Sequence, residues 1–245
     1  MKNHSRIEQL ASVDSTNAEA MRRAQAGELG PLWIMADAQT AGRGRSGRSW
    51  SSADAGNLYA SLLLTLAVPQ PRAYQLALVA AVAVFDALNA AMHPAPPGLR
   101  LKWPNDILIG GKKAGGILIE SSTASARLTA VIGVGLNIAA SPEGLDRPAT
   151  HLGAHGACPQ PRVVLDRIAE AMGHWLSVWD EGGGFAAVRE AWLMRSHPLG
   201  EPMSINTGSE RISGTFSGVD AEGALLLDAE GSVRRFTFGD VSLAR

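Results

Sequence analysis

The chain has 245 residues, 46% of them hydrophobic, enough for one large domain or a medium one with a small companion, and too apolar for a wholly disordered polymer. Twenty-two Lys and Arg stand against 23 Asp and Glu, a net charge of −1, so there is no global basic field for nucleic acid. The longest uninterrupted apolar run, Leu76 to Phe85, is short for a membrane span. The basic start Met1 to Arg6 has no apolar leader region behind it, and a single cysteine, Cys158, forbids an internal disulfide, so a cytoplasmic protein without membrane association is expected.

Thr16-Asn17-Ala18-Glu19 has the capping-box pattern and predicts a helix starting there, with Gly27 placed to end it. Leu32 to Ala36 and Leu58 to Leu66 read as buried strands, separated by a polar, glycine-rich loop from Gln39 to Gly56. Gln75 to Met92 is alanine-rich without Pro or Gly and reads as a buried helix. After a turn at His93 to Gly98, Leu99 to Trp103 alternates apolar and polar side chains, and Pro104 keeps Trp103 extended. Ile107 to Ile109, a Gly110-Gly111-Lys112-Lys113 turn, Gly116 to Glu120 and Leu128 to Leu136 follow as strands. Apolar residues recur at helical spacing from Val164 to Trp179, glycines from Gly182 stop that helix, and Phe185 to Arg195 forms another. Beyond Pro198 the chain is strand-like to Arg245, with turns at Asp220 to Gly223 and Asp228 to Gly231, a spacing that suits a small barrel. The expected fold is therefore α+β, a mixed-sheet domain with packed helices over residues 1–198 and a small C-terminal SH3-like β-barrel over residues 199–245.

Gly42-Arg43-Gly44-Arg45-Ser46-Gly47-Arg48 sets three arginines in seven residues with no acid among them. The glycines let the backbone approach a bound group, and guanidinium forks match phosphate or carboxylate oxygens. A basic run is ordinarily a solvated turn, but the flanking Gln39 and Trp50 favour an anion cradle. The three glycines also fit the dinucleotide fingerprint, yet the residues after Gly47 make a poor helix start. Gly111-Lys112 fails as a P-loop because Asp106 stands where the first glycine belongs. Lys102 reads equally well, on its own segment, as a solvent-facing lysine. Charge balance decides for a site, since two like charges ~4 Å apart repel by about 4 kcal/mol at an effective dielectric of ~20. An ammonium beside Arg43 and Arg45 would remove that barrier to one anion attacking another. His151, His155 and Cys158 have metal-like spacing but no supporting ligand pair, so no metal site is expected, and nothing around Cys158 marks an activated thiol. The glycines of Gly133-Val134-Gly135-Leu136-Asn137 serve close ligand approach or tight packing equally.

Several strings, in this order, resemble the biotin protein ligases (biotin–[acetyl-CoA-carboxylase] ligases): Asp14 to Asn17, Ala38 to Trp50, Asn57-Leu58-Tyr59, Leu101 to Asp106, Lys113 to Glu120, Ile132 to Asn137 and, in the tail, Gly223 to Leu227. The resemblance implies that ATP activates biotin to biotinyl-5′-AMP, and that biotin then passes to a lysine of a biotin carboxyl carrier protein. It implies that Ser15, Thr16, Asn17 and Gln39 bind the biotin ureido ring, and that Arg43, Gly44 and Arg45 fold over biotin and the phosphates. Lys102 would bridge carboxylate and α-phosphate, acting with Arg45 in catalysis, while Arg48, Asn105, Gly116 and Asn137 complete the ATP site. Mg²⁺ would arrive with ATP, and no tightly bound prosthetic group is implied. Some members carry an N-terminal DNA-binding domain; only 14 residues precede Ser15, so no DNA binding is expected, while a homodimer is compatible with the family. Some members set a tryptophan near the adenine, and Ala149-Thr150-His151 has none at that place. A lipoate- or octanoate-attaching enzyme of the same superfamily, and an anion- or nucleic-acid-binding module, are the rival readings.

Overall fold

The computed structural model describes residues 6–52, 56–92, 94–124, 127–144, 148–156 and 158–243. The basic N-terminal start, residues 53–55 of the long loop, His93 of the predicted turn and the last two residues of the tail lie outside it. A seven-stranded sheet forms the body, in the spatial order β1-β2-β3-β7-β6-β5-β4. Its strands are β1 (Arg6–Val13), β2 (Leu32–Gln39), β3 (Leu58–Leu66), β4 (Arg100–Lys102), β5 (Asp106–Ile109), β6 (Lys112–Ala124) and β7 (Arg127–Leu136). β1 pairs parallel with β2 across helix α1 (Thr16–Gln25); every other pairing in the sheet is antiparallel. The edge strand β1 was not predicted, because its side chains are exposed or half-buried throughout and leave no buried apolar run to recognise.

The two faces of the sheet carry different loads. One face of the sheet supplies Trp33, Leu62, Ile132, Val134 and Ile117 to a core covered by α2 (Gln75–Ala91), α3 (Pro161–Trp179) and α4 (Phe185–Arg195). The stretch Gln70–Ala91 is long and apolar enough to cross a membrane, but 67% of its apolar window is buried in the protein, where it is the central core helix. On the opposite face a smaller cluster, Leu32, Ile34, Leu63 and Val131, packs under Ala20 of α1. Helix α1 covers only part of that face and leaves the rest for chemistry.

The capping box is not formed. Ser15 is the N-cap and makes no side-chain capping bond, while Glu19 pairs with Arg22 and Arg23 at 2.9 and 2.7 Å. The Thr16 hydroxyl is drawn into a tertiary network described below, and that competition is why the local motif fails.

The tail forms β8 (Pro202–Asn206), β9 (Arg211–Val219), β10 (Leu225–Ala229), β11 (Ser232–Phe236) and β12 (Asp240–Leu243), ordered β11-β10-β9-β8-β12 and antiparallel throughout. Among the described residues no ladder joins β11 to β12, so the expected barrel is an open antiparallel sheet. Glu230 and Gly231, both at positive φ, make the tight turn between β10 and β11 where the sequence placed one. Met203, Phe216, Leu227 and Val241 of this sheet belong to the same hydrophobic core as Trp103 and Trp192, and Trp192 meets Phe216 edge to face at 6.4 Å. Trp192→Ala should therefore cost about 3–5 kcal/mol and weaken both sheets in a single urea transition. Two separate transitions would show that the terminal sheet is held independently.

Candidate active site

The uncovered face is built around the N-terminus of α1. Ser15, Thr16 and Asn17 are buried there, each at most 4% exposed. Gln39, at the end of β2, accepts from the Thr16 backbone N–H at 2.8 Å and from its hydroxyl at 3.2 Å, and donates to Ser52 at 2.9 Å. Ser61 of β3 lies 2.7 Å from the Thr16 hydroxyl and donates to Asn17 Oδ1 at 2.6 Å. Asn17 in turn donates to Glu120 at 2.7 Å, and Glu120 pairs with Arg43 at 3.0 Å. Five of the predicted residues, Thr16, Asn17, Gln39, Arg43 and the helix-capping Ser15, thus meet in one socket of short polar side chains. Ser61 and Glu120 were missed as site residues. Ser61 interrupts the apolar run of β3, whereas Glu120 only opens the polar end of β6, Glu120 to Thr123, and gave no such signal.

Glycines on the same face let side chains pack directly on the strand backbone beside this socket. A Cβ on Gly133 would stand 2.3 Å from Asn17 Oδ1, and one on Gly135 would stand 2.6 Å from the Trp50 ring. Gly116, opposite Gly135 in the β6–β7 ladder, has the Lys113 ammonium and the Trp50 ring each 3.2 Å from where its Cβ would be. Of the two readings of the Gly133 and Gly135 positions, tight packing is the one these contacts with Asn17 and Trp50 support. Lys113 also stacks its ammonium 5.5 Å from the centroid of Trp50.

At this end lies an ion cluster. Asp106 Oδ2 is 2.8 Å from Lys102 Nζ, and its Oδ1 is 2.5 Å from Lys113 Nζ. Burial opposes ionisation of Asp106, but the two ammonium groups outweigh it and hold the carboxyl below its ordinary range. The side chains of Lys102 and Asp106 are only 9% and 7% exposed, whereas that of Lys113 is 32% exposed. Lys113 is consequently the more exposed ammonium of the two, and Lys102 is the buried one, which also donates to the Val241 carbonyl at 3.2 Å. Lys113 was quoted within a motif but given no role, because a lysine after a Gly-Gly turn reads locally as solvated.

The remaining predicted residues divide. Asn105 donates to the Ile117 carbonyl at 2.5 Å and accepts from Arg45 at 3.2 Å, placing both beside a pocket of ≈ 470 Å³ that also involves Ile119, Tyr74 and Phe238. Arg45 further donates to the Gly239 carbonyl, and Arg48 pairs with Asp240 at 2.8 Å, so these two arginines reach toward the terminal sheet. Gly44 holds the loop turn by its N–H to the Arg48 carbonyl at 2.7 Å. Asn137 is buried and donates to the Thr150 carbonyl at 3.0 Å, tying the segment after β7 to the one that holds Thr150. Among the described residues no three His, Cys, Asp or Glu side chains gather as metal ligands, and Cys158 is exposed.

Similarity to known proteins extends over nearly the whole chain. The Biotin/lipoate A/B protein ligase family matches residues 10–137, and the Biotin protein ligase C terminal domain matches residues 199–244. A biotin–[acetyl-CoA-carboxylase] ligase of Paracoccus denitrificans is 43% identical over 225 residues, covering 89% of this chain and 92% of that protein. The corresponding ligase of Mycobacterium tuberculosis is 31% identical, covering 96% and 88%. Among solved structures, the Aquifex aeolicus biotin protein ligase in complex with biotin and ATP superposes with a TM-score of 0.79 at 29% identity, covering 98% of this chain and 99% of that one. The Leishmania major biotin protein ligase in complex with biotinyl-5-AMP gives 0.66 at 27% identity, covering 94% and 98%.

Two outcomes test this geometry. Asp106→Asn should destabilise the fold by about 3–5 kcal/mol, since it leaves buried Lys102 without its counter-charge. Because the Asp106 pKa is depressed, its contribution is present above the carboxylate range and lost as pH falls through the folded value. The variant's stability curve should lack that part of the acid limb, and denaturation profiles that coincide with wild type at every pH would refute the coupling. Gly133→Ala should displace Asn17 from its bonds to Ser61 and Glu120, costing about 1–3 kcal/mol of stability and lowering ligand affinity on this face, read by urea denaturation and ligand titration.

Proposed function

The chain belongs to the biotin/lipoate A/B protein ligase family, and from that membership we infer that it activates biotin with ATP to biotinyl-5′-AMP and transfers the biotinyl group to protein. The observation that carries this reading is one sheet face that holds a polar hydrogen-bonding socket, the glycines on which Asn17 and Trp50 pack, and a lysine pair. A ureido ring needs both donors and acceptors without net charge, which Ser15, Thr16, Asn17 and Gln39 supply. Its apolar rings and acyl chain need an apolar wall, which the Trp50 ring packed on Gly135 supplies. The carboxylate at the far end needs a cation, and Lys113, backed by Lys102, is there.

In the first step a carboxylate oxygen of biotin bonds to the α-phosphorus of ATP while the bond to the pyrophosphate oxygen breaks. Both reactants are anions, so the work of the site is to neutralise and align them, and no protein nucleophile is required. Lys113 and Lys102 share one carboxylate and so retain a net positive charge toward the reacting oxygens. Arg43 and Arg45, with the Gly44 turn between them, fold over biotin and the phosphates and keep water from the mixed anhydride. Arg48, Asn105, Gly116 and Asn137 border the nucleotide. Both oxygens of Asp106 are taken by lysines, so Mg²⁺ is held by the ATP phosphates and water. In the second step the amine of a target lysine attacks the acyl carbon, AMP leaves and the amine loses its proton. The target is a biotin carboxyl carrier protein, and a reducing cytoplasm is the compartment that suits the lone exposed thiol.

The direct experiment incubates the protein with labelled biotin, ATP, Mg²⁺ and a carrier domain, omitting each in turn, and replaces biotin with lipoate in a parallel arm. Pyrophosphate release should need biotin and ATP, and label transfer should need the carrier as well. Lys113→Ala should lower pyrophosphate release by about 10²–10³-fold. Near-normal release by that variant would remove the lysine from the reaction, and turnover with lipoate but not biotin would overturn the substrate.

A further inference from the structure

Glu120 places an acid on a face that, in the ligase reading, takes up two anions. It lies on β6 four residues beyond Gly116, on the same side of the strand, and is paired in the ladder with Val131, which packs under α1. Asn17 Nδ2 and Arg43 Nη2 both donate to one of its oxygens, Oε2, at 2.7 and 3.0 Å. Asn17 also accepts from Ser61 through Oδ1, so its amide is held at both ends.

Arg43 stands at the root of the arginine loop. The Thr40 N–H donates to the Val13 carbonyl at 2.9 Å and the Ala41 N–H to the Asp14 carbonyl at 2.8 Å, which fixes the chain on its way in. A Cβ on Gly42 would stand 2.6 Å from the Trp50 carbonyl oxygen and 3.0 Å from Gln39 Nε2, so the loop starts packed against the socket. Arg43 and Ser49 then form an isolated antiparallel bridge. The Gly44 N–H donates to the Arg48 carbonyl at 2.7 Å and the Trp50 N–H to the Gly42 carbonyl at 2.9 Å, closing a small hairpin. Arg45 and Arg48 carry this hairpin to the terminal sheet, whereas Arg43 reaches β6.

We propose that Glu120 is a positioning residue for the ligase reaction: by sharing Oε2 between Asn17 and Arg43 it fastens the root of the arginine loop to the ureido socket, and so keeps biotinyl-5′-AMP in the site. The inference rests on the biotin-activating reading above and adds to it the group that couples socket and loop. The pairing also cancels an acidic charge that would repel the incoming carboxylate and phosphates. The side chains of Arg43 and Glu120 are 45% and 30% exposed, so their ion pair adds little to global stability. It can open to admit ligand and re-form behind it without disturbing the fold.

The test compares wild type, Glu120→Gln, Arg43→Met and the double variant. Glu120→Gln keeps an acceptor for Asn17 and removes the charge that holds Arg43. Labelled biotinyl-5′-AMP, formed in place from biotin and ATP and chased with unlabelled adenylate, should leave Glu120→Gln about three- to fivefold faster than wild type. Arg43→Met should show at least that increase, and adding Glu120→Gln to it should bring no further one, because the two residues act as a unit. In ligand-free protein the Gly44 and Trp50 amides should exchange with solvent faster in Glu120→Gln by about the same factor. Wild-type retention in a folded Glu120→Gln overturns the proposal. An effect of Glu120→Gln that persists undiminished in the double variant also overturns it, since Glu120 would then act through Asn17. Should Glu120→Gln fail to fold, wild-type amide exchange in Arg43→Met overturns it equally. Wild-type protein that forms no biotinyl-5′-AMP overturns the ligase reading instead, and the amide exchange still decides whether Glu120 fastens the loop.

Discussion

Two ammonium groups compete for one buried carboxylate at the end of the central sheet, and most of the site follows from that arrangement. Asp106 is charged in spite of its burial because Lys102 and Lys113 each hold one of its oxygens. The cluster is left one charge positive. A single lysine in the same place would be neutralised by its partner, and a pair without the carboxylate would repel at close range. Three groups together give a fixed cation with no free side-chain entropy, which suits a reaction between two anions better than a mobile surface lysine could.

The same face runs from this charge to the socket at the start of α1, with the Trp50 ring packed over Gly135 and Gly116 between them. Helix α1 buries only its own stretch of the face, against Leu32, Ile34, Leu63 and Val131, and its first residues are spent on tertiary contacts instead of on capping. Beyond them Gly133, Gly135 and Gly116 let Asn17, Trp50 and Lys113 pack directly on the backbone. The other face of the same strands is mostly apolar and carries the helical core. The period-two alternation of a strand thus separates stability from chemistry: one set of positions holds the fold, the other is free to be polar or absent.

The terminal sheet is tied to this centre by more than shared hydrophobic packing. Gly239, Asp240 and Val241 receive Arg45, Arg48 and Lys102 respectively, so one short stretch of the tail collects basic groups from both the glycine-rich loop and the ion cluster. Movement of the loop and orientation of the lysines are therefore mechanically linked to β12.

Most of the fold was legible along the chain. Strand β3 and helix α4 fall where periodicity and the turn residues placed them, α2 lies within a residue of the reading, and α3 begins at Pro161, three residues ahead of the apolar run that revealed it. The spacing of the Gly-Arg loop, Lys102 and the Gly133–Asn137 turn already pointed to a site for anions, because glycine and arginine in such density have few other uses. Edge strand β1 was not legible, since its half-exposed side chains have no periodicity to read, nor was the failure of barrel closure, which depends on which strands find each other. The identity of the more exposed ammonium was also hidden. Lys102 and Lys113 are both lysines beside glycines or apolar residues in the sequence, and only the antiparallel return of β5 to β6 puts Asp106 between them, with Lys102 buried and Lys113 more exposed. Local chemistry is written in the residues themselves, whereas burial and partnership arise from contacts between distant segments, and those exist only once the chain has folded.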